Sequence, residues 1–448
     1  MVLSYGYVLG MLAVAHGLGM QGIFGLPLDT QPILALSVSL LMAAMIIIWR
    51  NRASRPYQKK VPSDMQPRQW LFFGLILSWL AIRLIDLTLE IWWQPLFPWD
   101  AWTTWAVRSR VWTELRDLAH FVSPPVWLNN PDQAFYTIDA WNYPTAVSLI
   151  ATWPALAYGS WNETAANIPW LGAALALAVG FYTQSRLWGA SPLTAIIFLW
   201  LLMSLPILNT HIALAGYADL WLATVLGLGF MSFMQWLKSG NRLQALLALV
   251  FILACPGIKR EGLIWAMIFL PATLAAKLGI RSLLGLAIFG LAMGIALWVQ
   301  GGIDIDTPLL GHIHIDPEII QLPLFGEVKL GNHSSWDHIV RHYFLYSNWH
   351  LFPYLLLVSV VAASIVIWQR RRLEWFKAGL TWTWINLLCL YLLFTYTEAY
   401  LWAIQGTSIN RLMLHLIPAL IFWTMSIWHE LALSDKVLQP KRPDQVCQ

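Results

Sequence analysis

Long apolar runs constrain this chain more than any other feature of its sequence. Hydrophobic residues make up 58% of the 448 residues and charged residues only 11%, whereas soluble domains carry about 25% charged residues. Since so few charges cannot cover a water-exposed surface, we expect lipid to be the main solvent. A membrane-spanning helix needs roughly 20 apolar residues. Suitable runs lie near residues 2–24, 31–49, 70–90, 163–183, 192–208, 217–236, 243–258, 262–277, 282–300, 350–368, 378–397 and 412–429.

These runs predict an all-α polytopic membrane protein with about 12 transmembrane helices. The net charge is only +4 and the basic residues are scattered through short loops, so nucleic acid is not an expected partner. The 29 Trp are typical of anchoring at the membrane surface, and indole rings also stack on sugars. Cys255, Cys389 and Cys447 indicate no disulfide framework.

Lysine and arginine in short loops predict the orientation, because they favour the cytoplasmic side. They place both termini inside and two large loops, about 91–162 and 301–349, outside. We divide the chain into two N-terminal helices with a basic loop (1–69), a catalytic bundle (70–430) and a cytoplasmic tail (431–448). The anchoring residues are Arg50, Arg52, Arg55, Lys59, Lys60, Arg68, Lys238, Arg242, Lys277, Arg281, Arg370, Arg371, Arg372, Lys377, Lys436, Lys441 and Arg442.

The apolar stretch 143–159 conflicts with this alternation if it crosses the membrane, since Arg186 would then move outside. We therefore interpret it as a juxtamembrane helix on the outer face. Its prolines, Pro144 and Pro154, and its aromatic residues suit an interfacial position.

Asp100 is the first candidate for chemistry. It is expected to be the N-cap of a helix on which Trp102 and Trp105 share one face, because they are three residues apart. A carboxylate beside indole rings at the outer surface suits a base that binds a sugar hydroxyl. The alternative is a capped amphipathic helix lying on the membrane.

Two further acids are candidates. Asp139 precedes Tyr143-Pro144, with Pro144 expected in the first turn of the next helix; a simple turn is the alternative role for Asp139. Asp219 follows Gly216 and Tyr217 at the outer end of a span, where an ionisable group is costly and functional use becomes the default hypothesis. Snorkelling, or pairing with a nearby base, is the alternative.

Basic residues at the predicted outer side suit an anionic ligand. Lys259 and Arg260 interrupt two apolar runs, and Arg411 with His415 one turn deeper begins the last helix. Arginine binds phosphate in a bidentate manner. The alternatives are neutralisation by Glu261 and, for Arg411, interfacial anchoring.

Two weaker groups complete the charged residues. Arg83, Asp86 and Glu90 recur at helical spacing, which favours an internal ion pair over a place beside the site. The second outer loop contains spacings that can bind zinc, but no clear four-ligand set, so a shaped acceptor site or a lid is favoured over a metal. Its residues are His312, His314, Asp316, His333, Asp337, His338 and His342.

The order of these motifs resembles that of the GT-C membrane glycosyltransferases. An acid-bearing first outer loop, an interfacial Tyr-Pro helix, Gly-Tyr-Ala-Asp (216–219), Lys-Arg-Glu-Gly (259–262) and Asn-Arg-Leu-Met-Leu-His (410–415) follow one another. Together they look like the bacterial proteins similar to dolichyl-phosphate-mannose protein mannosyltransferases, over roughly residues 70–430. The chain departs from that pattern in having Trp99 before a lone Asp100, and His211 but no Arg before Asp219.

The resemblance implies a polyprenyl-phosphate sugar donor, an extracytoplasmic acceptor and a bacterial inner-membrane location. It matches Asp100 to the catalytic acid of the first loop, Asp219 to the later acid, and Lys259 and Arg411 to positions near the donor phosphate. We expect single displacement, with a divalent metal possible as cofactor. Alternatives are a polymerase or ligase of lipid-linked oligosaccharide, and a transporter. Asp139 is the third catalytic candidate, Arg260 the third phosphate ligand, and the substrate-binding candidates are Trp102, Trp105, Arg108, Tyr143 and His415.

Overall fold

The computed structural model describes residues 1–50, 65–93, 96–307, 311–323, 326–369 and 373–438, and it is 76% helical. This confirms the helical membrane class. The helices are α1 (Val2–Ile23), α2 (Thr30–Arg50), α3 (Pro67–Trp93), α4 (Ala106–Leu115), α5 (Pro124–Asn129), α6 (Ala146–Tyr158), α7 (Glu163–Trp188), α8 (Pro192–Met203), α9 (Pro206–Ala213), α10 (Ala218–Ser239), α11 (Arg242–Ile258), α12 (Glu261–Met267), α13 (Phe269–Leu278), α14 (Arg281–Gln300), α15 (Trp336–Val340), α16 (Phe352–Gln369), α17 (Glu374–Tyr396), α18 (Tyr400–Gln405) and α19 (Ile409–Leu438).

Eight spans among the described residues are long and apolar enough to cross a membrane. They are α1, α3, α7, α10, the α12–α13 pair, α14, α17 and α19. The α8–α9 pair makes a ninth if its two parts, bent by 66°, form one span; the bend precedes Pro206, which begins α9. The predicted count of about 12 spans stays a prediction, because α6, α11 and the described part of α16 are shorter apolar helices.

Contacts of two lysines show which helix ends lie together at one end of the bundle. Lys238, at the end of α10, donates to the backbone of Trp188 at the end of α7. Lys277, at the end of α13, pairs with Glu374 at the start of α17, with 2.6 Å between Nζ and Oε2. These basic residues lie at the end opposite the start of α10, as the positive-inside pattern predicts. Which side of a membrane each end faces stays a prediction. Residues 51–64, 370–372 and 439–448, which contain most of the other anchors, lie outside the described residues.

The start of α10 and the end of α11 mark what we call the site end of the bundle. α10 and α19 form the centre of the bundle, since 94% of the most apolar stretch of α10 and 89% of that of α19 are buried. By contrast, the most apolar stretch of α14 has no buried residue. Close approach between α10 and α19 depends on Gly227, where a Cβ atom would lie 2.7 Å from Pro418. Small residues at such crossings are typical of membrane bundles. Exposed apolar helices such as α14 then suit contact with lipid.

The N-terminal helix α1 packs into this bundle. Ser4 donates to the backbone of Ala176 in α7, and the Tyr5 hydroxyl lies 2.8 Å from Ser232 Oγ in α10. α1 also contacts α6, the helix that we expected at the membrane surface. At 13 residues α6 is about 20 Å long, which is too short to cross the hydrocarbon core.

The helical architecture carries one addition that the sequence analysis did not predict, since the loop of residues 301–349 contains an antiparallel sheet of four strands that are neighbours in chain order. Polar residues alternate with Ile303, Ile305, Ile313 and Ile315, and this period of two is typical of strands. A bridge between Leu330 and Thr397 joins the end of the sheet to the end of α17. The strands are β1 (Phe121–Val122), β2 (Tyr136–Thr137), β3 (Ile303–Thr307), β4 (Gly311–Ile315), β5 (Ile319–Leu322) and β6 (Gly326–Lys329), with β1 and β2 forming a separate parallel pair.

We predict that Gly379→Ala destabilises the bundle. A Cβ atom at this position in α17 would lie 2.1 Å from Nε1 of Trp423, which is fully buried in α19. Overpacking of this kind costs about 1–3 kcal/mol, although Ala is otherwise the better helix former. The measurement is the midpoint of thermal unfolding in detergent.

The matched control is Gly290→Ala in α14, where nothing lies within 4 Å of the added Cβ. Its midpoint should stay the same or rise slightly. Equal midpoints for the two variants would show that α17 and α19 do not pack as described.

Candidate functional site

A single buried carboxylate organises the site end. Asp219 lies in the first turn of α10 and is 0% exposed. Its Oδ1 lies 2.9 Å from Nζ of Lys259 and 2.8 Å from Nε2 of His415. Its Oδ2 accepts from Nη2 of Arg411 at 2.8 Å and from Nε at 3.1 Å. Two segments far apart in the sequence, one with Lys259 and one with Arg411 and His415, therefore meet at the Asp219 side chain.

Asp100 joins this cluster through Arg411. Nη2 of Arg411 bridges the two acids, since it lies 2.5 Å from Asp100 Oδ2 and 2.8 Å from Asp219 Oδ2. The Asp100 side chain is 34% exposed, so it is the accessible acid of the pair. The meeting of Asp100, Asp219, Lys259 and Arg411 is the convergence expected of a shared pocket. Their roles in chemistry stay predictions.

The local structure around Asp100 differs from the expectation. Asp100 stands directly before a helical turn, as expected, but its own backbone is already helical (φ −62°, ψ −26°) and its side chain makes no capping bond. A π-helical turn, Ala101–Trp105, follows it. The wider turn breaks the expected shared face, because Trp102 is 44% exposed and Trp105 is 3% exposed. Trp105 instead packs edge-on against Tyr143, with ring centroids 5.6 Å apart.

Lys259 is held as a buried cation in the break between α11 and α12. Its Nζ also lies 3.2 Å from Oε1 of Glu261. Burial alone would lower the pKa of Lys259, but Asp219 and Glu261 raise the pKa above its ordinary value. The ammonium group therefore stays charged, which suits stabilisation of negative charge and excludes a role as proton acceptor.

His415 completes the contacts of Asp219. The indole N–H of Trp265 donates to His415 Nδ1 at 3.2 Å. Since Nδ1 accepts this bond, the proton of the neutral ring is on Nε2, from which it is donated to Asp219. This tautomer makes His415 a fixed donor to the buried carboxylate. Trp265 was not singled out from the sequence, because its partner lies 150 residues away.

Unlike Lys259 and Arg411, Arg260 forms no salt bridge with a carboxylate among the described residues. Its guanidinium lies over the ring of Tyr143, 4.6 Å from the centroid. Arg260 Nε and Glu261 Oε2 are buried without a hydrogen-bond partner among the described residues. Buried polar groups are nearly always satisfied, so both groups suit contact with a polar ligand or with water.

Arg108 has a structural role that the sequence did not reveal. It is 1% exposed, and its Nη groups donate to the backbone carbonyls of Ala140, Trp141, Tyr143 and, at 3.4 Å, Pro144. Burial, together with the nearby charge of Arg260, lowers the pKa of Arg108 to about 10. Arg108 therefore fixes the loop that presents Tyr143, and its Nη groups are occupied by backbone rather than facing a substrate.

Asp139 begins the loop that Arg108 holds, but it is exposed and has no hydrogen-bond or ionic partner among the described residues. The structure therefore does not join it to the cluster. Pro144 also differs from expectation, since it precedes the N-cap Thr145 and lies outside the first turn of α6.

Gly216 and Tyr217 place the two acids beside one another. Gly216 has φ +113°, and a Cβ atom there would lie 2.5 Å from that of Ala101, next to Asp100. The ring of Tyr217 lies 4.7 Å from the guanidinium carbon of Arg411. A glycine directly before such an aromatic residue was the available signal for this close approach.

Arg83 and Asp86 in α3 do form an ion pair, but it is not internal as expected, because the Asp86 side chain is 53% exposed. Arg83 also donates to Asn209 in α9 at 3.0 Å. Glu90 and Arg83 line a separate pocket of about 420 Å³ between these helices, so this group is distinct from the cluster around Asp219.

Comparison of the chain with protein-family models, curated proteins and solved structures found no match. The resemblance to GT-C enzymes therefore rests on the order of its sequence motifs.

We predict that Asp219→Asn strongly destabilises the bundle. The amide keeps the shape but removes the charge that balances Lys259 and Arg411 in a buried site. Removing one partner of a buried ion pair costs about 3–5 kcal/mol. Thermal unfolding in detergent measures the effect against Asp132→Asn, an exposed aspartate in the first outer loop. A midpoint equal to that of the control would contradict the network.

Proposed function

We propose that this protein is a membrane glycosyltransferase of the GT-C type. It moves a sugar from a polyprenyl-phosphate donor to an acceptor hydroxyl on the outer side of the membrane. The observation that carries the proposal is the meeting of an accessible acid, Asp100, with the basic residues Lys259 and Arg411 around buried Asp219, at one end of an apolar bundle. That arrangement places a proton acceptor beside groups that stabilise a leaving phosphate.

Arg260 and Arg411 are the principal ligands of the donor phosphate in this proposal. Arg260 forms no salt bridge among the described residues, and its Nε is a buried donor without a hydrogen-bond partner there. Arg411 binds the two acids through Nε and Nη2, which leaves Nη1 for an anion. Lys259 does not bind the phosphate directly in this proposal, because its ammonium group is already held by Asp219 and Glu261. It contributes positive charge near the phosphate. Such charges act strongly in a pocket of low dielectric constant.

An apolar groove begins beside the same break and suits the lipid chain of the donor. It has a volume of about 510 Å³ and lies between α11 and the α12–α13 pair. Pro256 and Leu263 line it near Lys259, and Trp236 and Ala245 line it toward the opposite end. A lipid whose phosphate lies at Arg260 can therefore place its hydrocarbon tail along this groove.

The proposed reaction is a single displacement. The oxygen of the acceptor hydroxyl forms a bond to the anomeric carbon as its proton passes to the carboxylate of Asp100. The bond between that carbon and the phosphate oxygen breaks, and its electron pair leaves with the polyprenyl phosphate. Asp219 does not take the proton, because both its oxygens are bound and it is fully buried. It is a positioning residue for Lys259, Arg411 and His415.

Two alternative functions would give different outcomes in the same assay. A polymerase or ligase transfers sugar only from a lipid-linked oligosaccharide. A transporter moves the labelled lipid across a bilayer without forming a new covalent product. Transporters place ionisable residues near the middle of the membrane, whereas this cluster lies at the starts of α10 and α19. That position favours transfer.

We predict that the purified protein transfers radiolabelled sugar from a polyprenyl-phosphate donor to acceptors of an envelope extract. Asp100→Asn should retain donor binding and lower kcat by about 10²–10⁴-fold, the usual contribution of a general base. Glu114→Gln, an exposed acid in α4, is the control and should keep normal turnover.

Near-normal turnover of Asp100→Asn would remove Asp100 from the role of base. Label that crosses a liposome bilayer without a covalent product would replace the enzyme with a transporter. Transfer that requires a lipid-linked oligosaccharide would support the polymerase or ligase.

A further inference from the structure

A second cluster of chemically capable side chains lies on the sheet of the second outer loop, away from Asp219. Asp304 and Asp306 are on β3, and His312 and His314 are on β4. The strands pair in a register that sets Asp304 opposite His314 and Asp306 opposite His312. Since residues two apart share a face of a strand, all four side chains project from the same face. Asp316 follows His314 by the same spacing.

Three of these residues direct ligand atoms at one point. The nearest ligand atoms of Asp304, His312 and His314 all lie within 4.8 Å of one another. Asp304 Oδ1 lies 3.5 Å from His312 Nε2, and Asp304 Oδ2 lies 3.3 Å from His314 Nδ1. The imidazole rings are nearly parallel, with an interplanar angle of 8°.

The other nitrogen of each imidazole is held by a separate carboxylate. His312 Nδ1 lies 2.9 Å from Asp306 Oδ1, and His314 Nε2 lies 3.0 Å from Asp316 Oδ2. Backbone N–H groups of Glu318 and Ile319 in turn donate to Asp316 Oδ1. This is the arrangement found around metal-binding histidines, where an outer carboxylate fixes the ring and its tautomer.

Both nitrogens of both rings therefore face carboxylates. A neutral imidazole has a single N–H and can donate to only one of two carboxylates. A divalent cation between Asp304 and the two rings resolves this conflict. Each ring then ligates the cation with one nitrogen and donates the N–H on the other to Asp306 or to Asp316.

We propose that Asp304, His312 and His314 form a binding site for a first-row divalent cation of the zinc type. Two imidazole nitrogens and one carboxylate are ligands that zinc accepts, and three protein ligands leave a coordination position open. The side chains of Asp304 and His312 are 65% and 41% exposed, so the open position faces solvent. Mg²⁺, which prefers oxygen ligands, should bind poorly.

Titration calorimetry of tag-free, EDTA-treated protein with Zn²⁺ tests the site. We expect one saturable site, insensitive to millimolar Mg²⁺, that His314→Ala abolishes. Asp306→Asn keeps all three ligands but removes the carboxylate behind His312, so the Kd should rise by about 10–100-fold. His338→Ala, in α15 of the same loop, is the matched control and should leave the Kd unchanged.

Co²⁺ as a probe separates this site from the cysteines. The expected spectrum has weak d–d bands and no thiolate charge-transfer band. A thiolate band would place the ion on a cysteine and overturn the proposal. Absence of saturable Zn²⁺ binding to the folded wild-type protein would overturn it too, and would leave the cluster as ion pairs of protonated histidines. Unfolding midpoints of the variants confirm that lost binding is not lost folding.

Discussion

The buried carboxylate of Asp219 is the interaction on which the arrangement of the site end depends. A charge in that position is costly unless it is paired and hydrogen-bonded. Asp219 meets this requirement only when the break after α11 brings Lys259 to it and the start of α19 brings Arg411 and His415. The same Arg411 then fixes Asp100, from the first outer loop, beside them. One charge thus sets the relative positions of four segments that are far apart in the sequence.

The residue types and helix directions carried enough information to predict this convergence. Acids and bases at the same end of alternating spans were expected to share a pocket, and Asp100, Asp219, Lys259 and Arg411 do lie together. What failed depends on contacts between distant residues. The Asp100 carboxylate makes no capping bond and instead accepts from Arg411, 311 residues away. Arg108 has no signal in its own segment, since its partners are backbone carbonyls of residues 140–144. Sheet β3–β6 was missed although isoleucines alternate along β3 and β4.

The accessible and the buried acid have different tasks in this account. Asp219 has both oxygens bound and holds the basic residues in place, whereas Asp100 is one-third exposed and is the proposed proton acceptor. The proposed metal-binding sheet lies near the same end, because His333, which follows the sheet in the chain, donates its backbone N–H to Thr395 at the end of α17. The loop that contains the sheet is thereby joined to the bundle close to where α19 begins. Its position suits a partner or an acceptor that approaches from the aqueous side.

The most direct test of the central claim is an electron cryomicroscopy structure of the protein in a lipid nanodisc with a polyprenyl-phosphate bound. We expect a phosphate within hydrogen-bonding distance of Arg260 and Arg411, with the lipid chain in the groove between α11 and the α12–α13 pair. Asp100 would then lie on the open side of the phosphate. A phosphate bound at the opposite end of the bundle, or Asp100 and Asp219 facing separate compartments, would contradict it.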